Sequence, residues 1–308
     1  KGTCISLLKK LSMKSFNSTP NFKCCDPPEG SSFQYLPTNT NTNKTQINIM
    51  GLYNGKLIEL PKKGRALIVT DLHGNLDDFI RFIQIWKDFK DDNDYFIITG
   101  DLIHAMGAED DRSLELLDYV KSHCETFRRF HLLLGNHEWA TISDVSIYKG
   151  GVNQTLSFEV LLKEKFKAGW RKKLDEYTEF LEKLPVAVKT RNKVFISHAG
   201  PPKDVKSVKD LVNIAEGGYL GNTNLFQILW NRYGDYSKKD LDCFLKVVNC
   251  NAMIVGHTPV DGIKLIGKKQ LIVSSSYSRG KKAYVELDLT EKIENARDLL
   301  KMVRYIKK

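Results

Sequence analysis

The stretch Ala66-Leu67-Ile68-Val69-Thr70-Asp71-Leu72-His73-Gly74-Asn75 decides the fold. Its first five residues, mostly branched and apolar, read as a buried strand, and the chain then breaks at Asp71, His73 and Gly74 before a helical pattern starts near Leu76. Such a strand delivers a carboxylate and an imidazole to its C-terminal end, where open α/β sheets place their chemistry.

Four more apolar segments end in the same manner. Tyr95 to Gly100 runs into Asp101, and His131 to Leu134 runs into Gly135-Asn136-His137-Glu138. Lys193 to Ser197 meets His198-Ala199-Gly200, and Ala252 to Val255 meets Gly256-His257-Thr258-Pro259. Between the early strands, Phe79, Phe82, Ile83 and Trp86 recur at helical spacing over about Leu76 to Phe89, and a second helix is expected over about Arg112 to Cys124. Three strand–helix units in this order predict an α/β sheet with helices on both faces.

The flanks read differently. Residues 1–48 carry Pro20, Pro27, Pro28 and Gly30 and an Asn/Thr-rich run at 38–45, and are expected to form a poorly structured or draped extension. Ile47 to Leu60, with Tyr53-Asn54-Gly55-Lys56 at its centre, predicts a small hairpin on the edge of a domain spanning 49–308. A charged helical insertion is expected at about 150–190, with Trp170, Phe180 and Leu184 turned inward and Pro185 closing it. The tail predicts strands at 262–266, 270–275 and 282–288, then a helix from about Glu291 to Ile306.

Composition narrows the class without naming a function. At 308 residues the chain suffices for one large domain, or for a domain with an appendage, and 42% hydrophobic with 27% charged residues is ordinary for a soluble globular protein. The 47 Lys and Arg exceed the 37 Asp and Glu, which favours anionic partners, but the excess is spread along the chain. No interleaving of aromatic and basic residues suggests a nucleic-acid platform. No run approaches the length of a membrane span, and the first residues lack the apolar core of a signal peptide. None of the six cysteines has a redox or zinc-knuckle spacing, so a reducing, cytoplasmic compartment is the simplest expectation.

The chemistry lies in the strand ends. Asp71 with His73, Asp101, Asn136, His198 and His257 each follow an apolar segment in one register, next to glycine. A lone Asp or His in such a place is usually a cap or turn residue; five recurrences are not five independent turns. Carboxylate and amide oxygens suit hard divalent cations, and imidazole adds selectivity toward manganese, iron, cobalt or zinc.

Asp71-Leu72-His73-Gly74, Gly100-Asp101, Gly135-Asn136-His137-Glu138, His198-Ala199-Gly200 and Gly256-His257-Thr258 resemble the calcineurin-like metallophosphoesterase superfamily over about residues 66–280. Pro259, where many cyclic-nucleotide and nuclease relatives have a second histidine, makes the chain look like the phosphoprotein (serine/threonine) phosphatase branch.

The resemblance implies a four-layer sandwich, two central mixed β-sheets flanked by helices, with two divalent metal ions at one edge. Manganese is the first expectation, with iron, zinc, cobalt or nickel as alternatives. On that template Asp71 and His73 hold one ion, Asp101 bridges, and Asn136, His198 and His257 hold the other. A hydroxide shared by the ions attacks phosphorus directly, so no covalent phosphoenzyme is expected. His137 resembles the family's histidine that protonates the leaving oxygen. Trp230-Asn231-Arg232 resembles a motif of bacterial and phage-type members whose arginine grips phosphate.

A departure follows Asp101. The family pattern Gly-Asp-x-Val-Asp-Arg-Gly is here Gly100-Asp101-Leu102-Ile103-His104-Ala105-Met106, so the carboxylate that orients the histidine and a second phosphate-binding arginine are both absent in register. Asp110, Asp111 or Arg112 can be imagined folding back into those positions. His104 reads either as a phosphate contact or as a packed histidine. With Asn136, these make Arg232, His104 and Arg112 the candidate substrate-binding residues.

The leading expectation is a phosphomonoester hydrolase acting on a phosphorylated protein or a small phosphate ester. Hydrolysis of a dinucleoside polyphosphate or another nucleotide stands beside it. A module of another class, one that keeps metals without useful turnover, is the third reading.

Overall fold

In β3 (Arg65–Val69), Ala66 and Ile68 point one way and Leu67 and Val69 the other, as the two-residue period of a strand requires. Ala66 and Ile68 share a core with Ile97, Ile196, Ile254, Leu271 and Val285, all from strands. Leu67 and Val69 share another with Phe79, Phe82, Leu116 and Leu117, all from helices. The strands are therefore covered by helices on one face and by a second sheet on the other. Burying one such side chain contributes about 1.5–3 kcal/mol against about 0–1 kcal/mol for an exposed ion pair, so the two apolar cores, rather than the surface lysines, hold the layers together.

The computed structural model describes residues 52–105 and 110–306. One sheet of five strands has the order β14 (Val303–Tyr305), β13 (Ala283–Asp288), β3, β4 (Tyr95–Ile98), β5 (Phe130–Leu132). The other, of seven, runs β1 (Tyr53–Asn54), β2 (Leu57–Leu60), β8 (Ala187–Thr190), β9 (Val194–Ser197), β10 (Ala252–Val255), β12 (Gln270–Val273), β11 (Ile263–Ile266). Both sheets are mixed. The chemistry-bearing strands are their parallel neighbours: β3 with β4 and β4 with β5 in the first, β9 with β10 in the second. Level registers, Val69 beside Ile98 and Ser197 beside Val255, bring the C-terminal ends of these strands out together.

Helices α1 (Leu76–Trp86) and α2 (Ser113–Thr126) cover the five-stranded sheet. The short α3 (Asn136–Ile142) follows β5 directly. On the other side α7 (Thr223–Trp230) and α8 (Lys238–Val247) cover the seven-stranded sheet, Phe244 of α8 meeting Phe195 of β9 edge to face. The five-residue helix α6 (Val208–Val212) precedes them.

The insertion consists of a small hairpin, β6 (Tyr148–Lys149) and β7 (Val152–Asn153), then α4 (Gln154–Phe166) and α5 (Trp170–Glu182). It docks on α2 through the fully buried Tyr177, whose hydroxyl donates to Asp118. Leu184 is buried as expected, while Trp170 and Phe180 are only partly covered.

Several expectations need correction. Strand–helix order alone predicts one sheet with helices on both faces, whereas the structure has the two mixed sheets flanked by helices that the resemblance implied, since an apolar strand face looks the same whether a helix or another sheet will cover it. The helix expected over 291–306 is instead a 3-10 turn, Asp298–Met302, followed by β14 on the edge of β13. Leu299 and Met302 are three apart and both buried, a spacing that a 3-10 turn satisfies as well as an α-helix. Strands β6, β7 and β8 were not anticipated. The hairpin at Tyr53 to Leu60 stands at a sheet edge as expected. The extension at 1–48, including 38–45, and Met106 lie outside the described residues.

Candidate active site

The first sheet brings Asp71, His73, Asp101, Asn136 and His137 to its C-terminal edge, and the second brings His198 and His257. Contacts across the sandwich register them. The carboxylate of Asp71 accepts the main-chain N–H of His257, and the ring of His198 donates to the carbonyl of Thr99. A Cβ at Gly256 would lie 2.1 Å from Asp71 Oδ2, so this close approach admits only glycine. His73, Asp101, His104 and His257 all have left-handed backbone, a conformation that costs energy and gathers here at the strand ends.

Asp101 is the hub. Its Oδ2 lies 3.5 Å from His198 Nε2, 3.7 Å from His73 Nε2 and 3.9 Å from His137 Nε2, while Oδ1 accepts the main-chain N–H of His137. The loop carrying it is tied down from both sides. Main-chain N–H groups of Leu72 and His73 donate to the Asp101 carbonyl, and Gly74 donates to that of Leu102. Behind it, the fully buried Glu138 carboxylate accepts from the N–H of Asp101, Leu102 and Gly135 at 2.8, 2.8 and 3.1 Å. Glu138 belongs to the motif quoted from sequence, yet sequence reading gave it no role.

The ring hydrogen bonds settle which lone pairs face the cluster. His198 Nδ1–H is committed to Thr99 and His73 Nδ1–H to the carbonyl of Ile103, so both Nε2 atoms are bare. His198 Nε2 nevertheless lies 2.9 Å from Asn136 Oδ1 and 3.1 Å from His257 Nδ1. The approach of a bare nitrogen to an amide oxygen is repulsive by itself and becomes favourable around a cation. Burial holds His73 down at about 4 and pushes His198 and His257 below the usual range, which keeps the imidazoles neutral. Burial also pushes Asp71 up to about 7, and burial together with the Glu138 charge raises Asp101. Carboxylates that resist ionisation beside imidazoles that resist protonation form a site short of positive charge, and the oxygen–nitrogen donor set fits divalent cations. Two groups have ligand atoms within 4.8 Å of one another: His73, Asp101 and His137, and Asp101, His198 and His257.

Two cations flank the cluster. The charge of the exposed Arg232 acts on Asp101, His198 and His257, and its guanidinium makes no side-chain hydrogen bond or ion pair among the described residues. Sequence reading missed the second, Lys149 on β6, whose charge is felt at Asp101 and His73 and which is itself influenced by Arg232, Asp101 and Asp71. Gly150 and Gly151, both at positive φ, turn the hairpin that carries it. The Gly-Gly pair was the available signal.

Arg112 is engaged elsewhere: it bonds to Glu115 at 2.8 Å and Asp77 at 3.2 Å, so it does not take the place of the missing arginine. Asp111 accepts the N–H of Ser113 at the start of α2. His104 is buried and turned to His137, Nδ1 to Nδ1 at 2.7 Å, rather than open to a phosphate.

A cluster of this chemistry at the joined edges of a two-sheet sandwich is that of a metal-assisted hydrolase. The family model described as calcineurin-like phosphoesterase matches residues 64–261, and the chain belongs to that family, an enzyme family of phosphoric ester hydrolases whose members imply divalent metal ions. Solved structures give the same fold. A protein serine/threonine phosphatase from Saccharomyces cerevisiae is 18% identical, with TM-score 0.57 and 82% of this chain and 83% of that one covered. A cold-active protein-tyrosine phosphatase of a psychrophilic Shewanella is 17% identical, with TM-score 0.51 and coverage of 81% and 82%. No helix among the described residues is long and apolar enough to cross a membrane.

Proposed function

We propose that the chain is a divalent-metal-dependent phosphomonoesterase acting on phosphoserine or phosphothreonine in proteins and on small phosphate esters, with manganese as the working ion. Asp71, His73 and Asp101 are assigned to one ion, and Asp101, Asn136, His198 and His257 to the other. The observation that carries this reading is the convergence of three imidazoles on Asp101 Oδ2 next to the facing lone pairs of His198 and Asn136. When bound, the ions supply Lewis acidity and an activated water.

The chain's own residues supply the rest. Glu138 and the 72–74 loop hold Asp101 in place, which lowers the reorganisation needed at the moment of reaction. Arg232 offers a planar fork for two phosphoryl oxygens, and Lys149 a point charge beside it. His137, at 3.9 Å from Asp101 Oδ2, stands where it can give a hydrogen bond to the leaving oxygen.

The test is phosphate release from p-nitrophenyl phosphate with manganese, alongside Asp101→Asn. Turnover by the wild type and none by the variant supports the reading; an inert wild type that binds manganese would point to a module without turnover. Competition between a phosphopeptide and a dinucleoside tetraphosphate then decides the substrate class, and preference for the second would overturn the protein-phosphatase reading.

A further inference from the structure

His104 and His137 are both buried, and their Nδ1 atoms are 2.7 Å apart. Two bare nitrogens cannot approach this closely, so a proton lies between them. With both rings neutral, that proton belongs either to His137 or to His104, and the surroundings distinguish the two cases.

If His137 owns it, His104 must carry its own proton on Nε2. That atom is buried with no partner among the described residues, and the ring lies edge to face with Phe158 of α4 at 5.7 Å. An orphaned buried N–H is rarer in folded proteins than an under-satisfied acceptor. If His104 owns the proton, its Nε2 is a bare lone pair against Phe158, and the proton of His137 sits on Nε2, on the side of the Asp101 carboxylate at 3.9 Å. The second arrangement leaves no stranded N–H.

We infer that His104 is a positioning residue that donates Nδ1–H to His137 Nδ1 and so holds His137 in the tautomer whose Nε2–H points into the active site. His137 then acts toward the site as a hydrogen-bond donor. This removes it from the ligand set, although its nitrogen falls within coordinating range of His73 and Asp101. His137 gives a hydrogen bond to the leaving oxygen and keeps its own proton; the proton that the departing alkoxide takes up comes from solvent and is balanced by the one the attacking water gives up. Phe158, packed on His104, makes the α4 insertion part of the support for this ring pair.

The first test needs no metal and no turnover. Nitrogen-15 spectra of labelled imidazoles in the metal-free protein, at a pH where the rings are neutral, report which nitrogen of His137 carries the proton; His137→Asn assigns its signals among those of seven histidines. His104 has φ 67°, a conformation that Asn and Asp tolerate better than most residues, so these replacements suit the position. The wild type and His104→Asn, which can still donate, are expected to show His137 protonated on Nε2. His104→Asp, which only accepts, is expected to move the proton to Nδ1. A wild-type His137 protonated on Nδ1, or a pattern unchanged by His104→Asp, overturns the inference.

The second test rests on the proposed phosphomonoesterase reading. A hydrogen bond to the leaving oxygen matters most when the leaving group is poor. His104→Ala is expected to lower kcat on a phosphoserine peptide about tenfold or more, with KM little changed and a smaller loss on p-nitrophenyl phosphate. His104→Asn is expected to recover most of it. Equal losses on both substrates overturn the positioning role. Lack of any turnover by the wild type overturns the functional reading and leaves the spectroscopic result standing.

Discussion

Both oxygens of the Asp71 carboxylate lie 3.0 Å from the main-chain nitrogen of His257, a residue 186 positions later on the other sheet. This contact ties together the two halves of the Asp/His cluster proposed to hold metal, and Gly256 makes it possible. A Gly256→Ala variant is expected to lose about 1–3 kcal/mol of stability from the overlap with Asp71, read from chemical denaturation. It should also bind manganese more weakly, and an unchanged affinity would show that the two halves act independently.

Removing metal ions with a chelator is expected to abolish phosphate release and to lower the melting temperature. Restoring manganese to about 100 times its Kd should return about 2.7 kcal/mol of stability, followed by melting at increasing ion concentration. A melting temperature indifferent to manganese would argue against a site in the folded chain.

Glu138 holds four main-chain N–H groups, those of Asp101, Leu102, Ile103 and Gly135, with one buried carboxylate. In Glu138→Gln one oxygen becomes an amide that cannot accept, leaving at least one of those groups unpaired. A loss of about 1–3 kcal/mol is expected, with a fall in kcat as Asp101 loosens. Denaturation and steady-state kinetics measure both.

If Arg232 and Lys149 bind phosphate as proposed, Arg232→Ala is expected to lower kcat/KM about 10- to 100-fold, equivalent to about 1.4–2.8 kcal/mol. Arg232→Lys should recover little, since an ammonium cannot present two parallel donors. Lys149→Ala should cost less, about threefold to tenfold, and mainly through KM.

Acid should destabilise the protein through a residue outside the proposed metal site. His131 is buried, bonded to the hydroxyl of Tyr53, and burial lowers it from its ordinary 6.5 to about 4. Between those values the unfolded chain takes up a proton that the folded ring refuses, so stability falls as pH drops from about 6.5 to about 4. The loss stops growing below that window. His131→Phe should flatten this part of the profile of urea midpoint against pH, and an unchanged slope would assign the acid sensitivity to other groups.

How far local pattern reaches is clear at particular residues. Strand ends at Asp71, Asp101, His198 and His257 are legible because an apolar run interrupted by Gly and a polar residue is a local event. The 3-10 turn at Asp298–Met302 was read as a longer helix because three-residue spacing is common to both. Lys149 escaped notice because its importance depends on where a hairpin folds, and Arg112 drew attention that Asp77 and Glu115 take away.

By itself, the amino-acid order determined the strands that end in polar residues, the family with its two-sheet sandwich and the side chains whose chemistry suits a metal, since periodicity and motif spacing are written residue by residue. Only the tertiary structure decided how the ends of the two sheets meet, that Glu138 anchors Asp101, and that His104 faces His137. Those relationships join residues tens to hundreds of positions apart, and packing and directional hydrogen bonds, which no local period encodes, set them.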